Sequence, residues 1–374
     1  MATENLLEHH LYTAAAQKRI PISGTFELLP VCNLDCKMCY VKKSMSEVRQ
    51  LGGLHSADEW IALGRRATDA GMLFLLLTGG EPFLYPEFQR LYTTLHSMGL
   101  AIDINSNGTL IDEAQVRWLR QIPPRHVKIS LYGASAESYR QLCGSAEAFH
   151  KVLRAFRLLK EAGITVYASI TVTPHNFHEL DEMLALCAEH GVPVQATSYM
   201  YPPLRSNRAH IHEEYRLSPE DAARATYQIV RHNNGEAVVM DWAREYAREP
   251  YLHFLDHADC GRECGHLTCR AGSCTFWVTW RGEMIPCAMM EFGRIPVMDG
   301  HDFQAAWNSI TAIADGILTA PQCSACPARK ACYGCAASAW CETGATNIRP
   351  EYPCRMTDAY LKLMRSLAAG GTPC

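Results

Sequence analysis

The sequence has no apolar run approaching the 18 residues or so that a membrane-spanning helix needs, so no membrane partner is expected. It has no basic excess either. Lys and Arg number 35 against 39 Asp and Glu, a formal charge of −4. Such a chain offers no field to a phosphate backbone, and nucleic acid is not an expected partner. The opening MATENLLEHHLYTAAAQK lacks the basic-then-apolar layout of a secretory signal, so the chain reads as soluble and cytoplasmic. With 48% hydrophobic and 20% charged residues, it is neither disordered nor collagen-like. At 374 residues it is long for one domain, although single α/β barrels reach this size.

Cysteine is present in excess. There are 17, an odd number, and they are unevenly placed. Five precede residue 260, eleven run from Cys260 to Cys354, and Cys374 is last. Clustered thiols in a large chain without a secretion signal point to metal rather than disulfides. Thiolate sets of this kind favour zinc or iron–sulfur clusters over magnesium or calcium.

Between Thr25 and Tyr199 one unit recurs, an apolar run followed by an amphipathic stretch. The runs are Thr25–Leu29, Met72–Leu77, Ala101–Asn105, Val127–Leu131, Ile164–Val172 and Val192–Ser198. Their shortness and β-branched content predict strands buried on both faces. Ser56-Ala-Asp-Glu59 is a capping box that opens one helix. Gly71, Gly99, Gly163 and Gly191 stand where helix C-termini expect glycine. Six strand–helix alternations demand a parallel sheet with right-handed crossovers. An incomplete (β/α)6 barrel and an open doubly wound sheet both satisfy that pattern, and both put ligands at the C-terminal strand ends. The rhythm stops after Tyr201-Pro202-Pro203. A charged helical stretch follows, with Ser218-Pro219-Glu220-Asp221 as a helix start. From Cys260 short segments separated by cysteines take over, as expected where metal replaces apolar core. The expected division is 1–204, 205–259 and 260–374.

Cys32, Cys36 and Cys39 form a C-x3-C-x2-C loop directly after the first run. Three thiolates around a four-iron cubane leave one iron open to a substrate or cofactor. Buried or zinc-bound cysteines are the plainer reading of such a loop. The arrangement resembles the radical S-adenosylmethionine (radical SAM) enzymes over roughly residues 25–200. Thr78-Gly79-Gly80-Glu81-Pro82 is similar to that family's GGEP motif, in which the glycine backbone approaches the methionine part of SAM. There Glu81 anchors the loop or the ligand. The resemblance further implies SAM contacts at Met38, where relatives usually carry an aromatic, and at Asn107, Ser130, Arg140, Thr171 and Met200. Arg140 is the residue suited to the SAM carboxylate, which a guanidinium holds in bidentate fashion.

Cys269, Cys274 and Cys287, then Cys323, Cys326, Cys332 and Cys335, then Cys354 make an ordered array of eight. Four-cysteine zinc sites would satisfy the same thiolates. The array resembles the SPASM extension of radical SAM enzymes over about residues 265–358. That resemblance implies one auxiliary 4Fe–4S cluster on Cys269, Cys274, Cys287 and Cys335, and another on Cys323, Cys326, Cys332 and Cys354. The gap before Cys335 is one residue shorter than usual, and Cys341 contests its role. Cys260, Cys264 and Cys341 are the catalytic candidates; Cys143, Cys187 and Cys374 read as ordinary.

The resemblance implies an α/β protein, a partial (β/α)6 radical SAM barrel followed by a small cysteine-rich SPASM domain. Its cofactors would be three 4Fe–4S clusters and SAM, with flavodoxin or ferredoxin as reductant. A 5′-deoxyadenosyl radical would take hydrogen from a ribosomal peptide, leaving a thioether or carbon–carbon cross-link or an oxidised side chain. Ala288 stands where sulfatase-maturing members carry Asp, which argues against that activity. About 24 residues precede the first strand, too few for a leader-binding winged helix. The alternatives are a small-molecule dehydrogenase and, in a different class, a non-catalytic iron–sulfur electron carrier.

Overall fold

The computed structural model describes residues 6–202, 205, 214–248 and 265–372. Six parallel strands follow the six expected runs: β1 (Ser23–Glu27), β2 (Phe74–Thr78), β3 (Ala101–Ser106), β4 (His126–Ser130), β5 (Val166–Thr171) and β6 (Val194–Thr197). Helices α1 (Leu6–Lys18), α2 (Met45–Gln50), α3 (Ala57–Asp69), α4 (Phe88–Ser97), α5 (Glu113–Leu119), α6 (Ala136–Cys143), α7 (Glu147–Glu161) and α8 (Leu180–Glu189) precede and connect them. The strands lie in the order β6-β5-β4-β3-β2-β1. Every crossover therefore steps one strand in the same direction. Right-handed crossovers that never reverse set all their helices on one face, and the other face becomes a lumen. A doubly wound sheet requires a reversal in strand order. There is none, and the fold is the partial barrel.

Side-chain alternation carries this out. On β1, Phe26 points outward and meets Trp60 of α3 at 5.1 Å between ring centroids, both fully buried. Glu27, its neighbour, points inward and is fully buried as well. The α3 capping box forms as its sequence predicts, with Ser56 accepting from the Glu59 amide. At the lower, N-terminal end α1 closes the sheet. Tyr12 stacks on Phe74 at 5.3 Å, and Arg125 joins Glu8 of α1 (3.2 Å) to Asp103 of β3 (2.9 Å).

The cysteine-rich region extends the same sheet. β7 (Thr275–Val278) pairs with β1 in parallel, from Ser23↔Thr275 to Phe26↔Val278. β8 (Glu283–Ile285) and β9 (Ile295–Pro296) continue antiparallel, making nine strands. The β7–β8 turn needs Gly282, whose φ of +73 is one that side chains rarely adopt. α9 (Pro219–Asn234) and α10 (Glu236–Arg248) come before this hairpin. α11 (Phe303–Asp315), α12 (Pro321–Ser324), α13 (Ala336–Thr343) and α14 (Glu351–Ala368) come after it. α9, α10 and α14 share a core of their own that includes Tyr227, Val239, Tyr246, Tyr360 and Met364. Among the described residues no helix is long and apolar enough to cross a membrane.

Candidate functional site: three groups of cysteines

The first group lies where β1 leaves the sheet. Leu28 N–H still bonds the Thr78 carbonyl (2.9 Å), so the chain runs beside the β2 exit. Gly80 N–H then donates to Leu29 (2.6 Å) and Glu81 N–H to Val31 (3.0 Å). A Cβ at Gly79 or Gly80 would come under 3.0 Å from the Leu29 and Val31 backbone. The glycine pair is thus used to seat its loop against the run-up to Cys32.

Glu81 has no exposure, and burial pushes its carboxyl up to about 7. It accepts from the Phe83 amide (3.1 Å), the Ser106 hydroxyl (2.9 Å) and the Asn107 amide (2.7 Å). It is a strut between the exits of β2 and β3. Asn107 completes the connection. Its Nδ2 donates to Cys32 Sγ (3.4 Å) and Asn33 Oδ1 (2.9 Å), and Thr109 fixes its Oδ1.

Backbone amides are aimed at two of the three thiols. The Leu34 amide points at Cys32 Sγ (3.4 Å) and the Lys42 amide at Cys39 Sγ (3.3 Å). Such N–H donors suit a sulfur that bears negative charge, as a metal-bound thiolate does. In the metal-free chain burial pushes Cys32 up to about 12 and raises Cys39 too. Loading therefore expels protons, and higher pH favours it.

Cys143 is more than a packed thiol. It is 1% exposed, and its hydrogen bond to the Cys36 thiol, together with burial, raises Cys36. Two backbone bonds hold it there: Asp35 N–H to the Cys143 carbonyl and Lys37 N–H to Leu142, both 2.9 Å. No local signal pairs residues this far apart.

The remaining strand-end residues divide. Met38 packs against the main core, and Met200 is 6% exposed just beyond β6. Ser130 ends β4, where its carbonyl accepts from Tyr139 (3.3 Å). Thr171 ends β5, where its carbonyl accepts from Asn176 (3.1 Å). Arg140 requires a correction. It lies on the exposed side of α6, paired to Glu137 three residues back (2.8 Å), and does not face the lumen. A helical (i, i+3) pair on the surface explains that charge in full.

Inside the lumen stands a pair the sequence did not reveal. Glu27 accepts from both terminal nitrogens of Arg205 (3.0 and 2.7 Å) and from Trp277 Nε1 (3.2 Å). Arg205 also lies 5.0 Å over the ring of Tyr40, the residue after Cys39. Glu27 reads locally as one polar residue in an apolar run; its partners lie at 205 and 277.

The second group forms around the hairpin. Cys269 and Cys274 bracket a tight turn in which the amides of Ser273, Cys274 and Thr275 converge on the Arg270 carbonyl (3.0, 3.1 and 3.2 Å). Cys274 is fully buried with Ala15, Ala16, Ile22 and Phe74. Burial pushes Cys287 up to about 12, helped by the thiols of Cys335 and Cys269 beside it. Cys341 is close too, raised to about 12 by burial and then by Cys287 and Cys335.

Hydrogen bonding separates Cys335 from Cys341. Cys335 caps α13, its sulfur accepting from the Ser338 amide (3.4 Å) with the Tyr201 hydroxyl 3.7 Å away. Cys341 donates its proton to the Met289 carbonyl (3.3 Å). Donors favour a thiolate, whereas a facing carbonyl opposes one. Tyr201 is braced by Tyr199 (4.7 Å, edge-on), whose hydroxyl donates to Glu342 (2.8 Å), the bidentate partner of Arg216.

The third group lines a cavity of about 330 Å³ beside α12 and α14. It contains Cys323, Cys326, Cys332 and Cys354, and Cys269 and Cys335 reach its wall. Burial, then the Cys332 and Cys323 thiols, push Cys354 up to about 11. Burial and the same kind of crowding raise Cys323. The described cysteines form no disulfide with one another. Cys260, Cys264 and Cys374 lie outside the described residues.

Residues 26–187 match the sequence family described as the Radical SAM superfamily. The AdoMet-dependent heme synthase of Methanosarcina barkeri is 24% identical over 349 residues, 88% of this chain and 95% of that one. The sporulation killing factor maturation protein SkfB of Bacillus subtilis is 25% identical, spanning 65% of this chain and 58% of its own length. The mycofactocin maturase MftC of Mycobacterium tuberculosis is 25% identical over 89% of this chain and 83% of its own. Among solved structures, Streptococcus suis SuiB bound to precursor peptide SuiA aligns with a TM-score of 0.66 at 16% identity, covering 92% of this chain and 79% of that one. Native anSMEcpe with bound AdoMet aligns at 0.65 and 17%, covering 93% and 98%. The two structures share the fold.

Proposed function

We propose that this chain, which belongs to the radical SAM superfamily and carries a SPASM extension, modifies a ribosomally made peptide, forming a cross-link or an oxidised side chain. The observation that carries the reading is the trio of thiols at the β1 exit, held against the Gly79–Gly80 loop and Asn107. The eight further cysteines of the extension support it, read as two sets of four. Maturases and a peptide-bound structure among the similar proteins support a peptide substrate.

A 4Fe–4S cluster and SAM, when bound, supply a 5′-deoxyadenosyl radical that takes one hydrogen atom from the substrate. In this reading Cys32, Cys36 and Cys39 would hold the cluster. Asn107 and the Leu34 and Lys42 amides orient and stabilise two of the ligating sulfurs. Glu81 fixes the β2 and β3 exits, and the backbone of Gly79 and Gly80 together with Met38, Ser130, Thr171 and Met200 would hold SAM. Cys269, Cys274, Cys287 and Cys335 would hold one auxiliary cluster, and Cys323, Cys326, Cys332 and Cys354 the other. Cys335 is preferred to Cys341 because its surroundings donate hydrogen bonds. The Glu27–Arg205 pair braces Tyr40, the residue after Cys39.

Anaerobic reconstitution tests the assignment: about twelve irons per chain, three cubanes, and 5′-deoxyadenosine on reduction with SAM. Replacing Cys32, Cys36 and Cys39 together by Ala should abolish 5′-deoxyadenosine and leave about eight irons. Iron without SAM cleavage in the unmodified protein would return the electron-carrier reading. A candidate peptide should lose two hydrogens on incubation with the reduced enzyme. A small-molecule substrate is the second reading, favoured by the heme synthase likeness that spans most of both chains.

A further inference from the structure

The third cysteine group opens at the protein surface, unlike the first. Cys326 is exposed, and the cavity wall includes Arg329, Arg349 and Arg365. Arg349 and Arg365 are exposed at its rim. Among the described residues none of these three guanidinium groups has an ion-pair partner. The one carboxylate on the wall, Asp358, is taken by Lys362 at 2.7 Å. The local sign is therefore positive on a chain whose total is −4.

Arg329 and Arg349 line the same cavity wall as Cys323 and Cys326, so the positive groups stand beside the thiols themselves. Near the first group Lys37 and Lys42 both pair with Asp35 (3.7 and 3.0 Å), so the charge of these two is answered locally. At the third group it faces solvent.

We propose that this rim is the docking surface for an acidic one-electron carrier protein of the ferredoxin type, and that electrons enter the molecule here. The proposal rests on reading Cys323, Cys326, Cys332 and Cys354 as a cluster site. The step moves one electron: the carrier is oxidised by one, the cluster reduced by one, and no bond forms or breaks. A small charged rim suffices, because electron-transfer encounters sit at the low end of interface size. Complementary charge raises their on-rate rather than their lifetime, by roughly 10- to 1000-fold. The Debye length of about 8 Å at physiological salt makes that gain salt-dependent.

The test uses reconstituted holoenzyme and a reduced acidic [2Fe–2S] ferredoxin, mixed anaerobically in a stopped-flow instrument. For the double variant R349E/R365E the bimolecular reduction rate should fall by about tenfold or more, and its steep decline with salt should vanish. R349K/R365K should restore both. Iron content and reduction by reduced methyl viologen, a small cation, should match the unmodified enzyme. An unchanged ferredoxin rate in R349E/R365E overturns the docking surface. So does a variant whose ferredoxin rate is intact while its KM for an acidic peptide rises, since the rim would then serve substrate. The cluster reading fails separately, if C323S/C354S keeps all its iron.

Discussion

The first and third cysteine groups use the same atom in opposite settings. At the first, three sulfurs sit on a loop that a nine-stranded sheet fixes from below, through Glu81, Asn107 and the glycine pair. At the third, Cys323 comes from the short α12, Cys326 and Cys332 flank the helical turn Pro327–Ala331, and Cys354 lies in the first turn of the long α14. On the proposed reading the barrel would hold its loop without metal, and the extension would rely on metal for its loops. The first site would then leave a coordination position free and the third would leave none.

The largest expected effect tests the dependent half. Cys354→Ser should lose about four irons and expose the α12–α14 region to protease, while SAM cleavage persists. Iron quantification and limited proteolysis decide it; full iron would break the comparison. Gly80→Ala tests the rigid half. The new methyl meets the Val31 backbone, which cannot yield without moving the approach to Cys32. A loss of about 1–3 kcal/mol is expected, with SAM cleavage reduced well beyond that of the Cys354 variant.

Glu81 sharpens the contrast through pH. Its carboxyl is raised from an ordinary 4.5 to about 7 by burial, so the native state holds the proton better than the unfolded chain. Its contribution is full below pH 4.5 and is lost as pH rises to about 7, a fall of about 3 kcal/mol. Denaturant titrations of the metal-free protein across that window should show the decline, and Glu81→Gln should flatten it. The smallest effect concerns the joint between the halves. Tyr201→Phe removes the hydroxyl beside Cys335 and should lower the potential of one auxiliary cluster without loss of iron. Cys341→Ser should keep every iron, whereas Cys335→Ser should lose about four.

Much of this was legible in the chain. Six buried runs gave six parallel strands, because a strand covered on both faces must be apolar along its length. C-x3-C-x2-C and Thr78–Pro82 are contiguous, so their chemistry could be read without the fold. The choice of barrel over doubly wound sheet could not, since it lies in strand order. Pairing of β7 with β1 was hidden for the same reason: four residues, a parallel partner some 250 positions away and no turn to mark it. Arg140 misled because a guanidinium in the right span is a common residue on an exposed helix. Glu27, Arg205 and Cys143 were invisible because each acquires meaning only from a distant partner.

The central claim is that the first group leaves a metal position for SAM. Electron paramagnetic resonance of the reduced Cys323→Ser/Cys354→Ser protein, with and without SAM carrying a ¹⁵N-labelled amino group, addresses it most directly. A shifted cluster signal with hyperfine coupling to that nitrogen is the predicted result. A signal indifferent to SAM, restored to sensitivity only by Cys143→Ala, would show that a fourth side chain holds the position and would contradict the account.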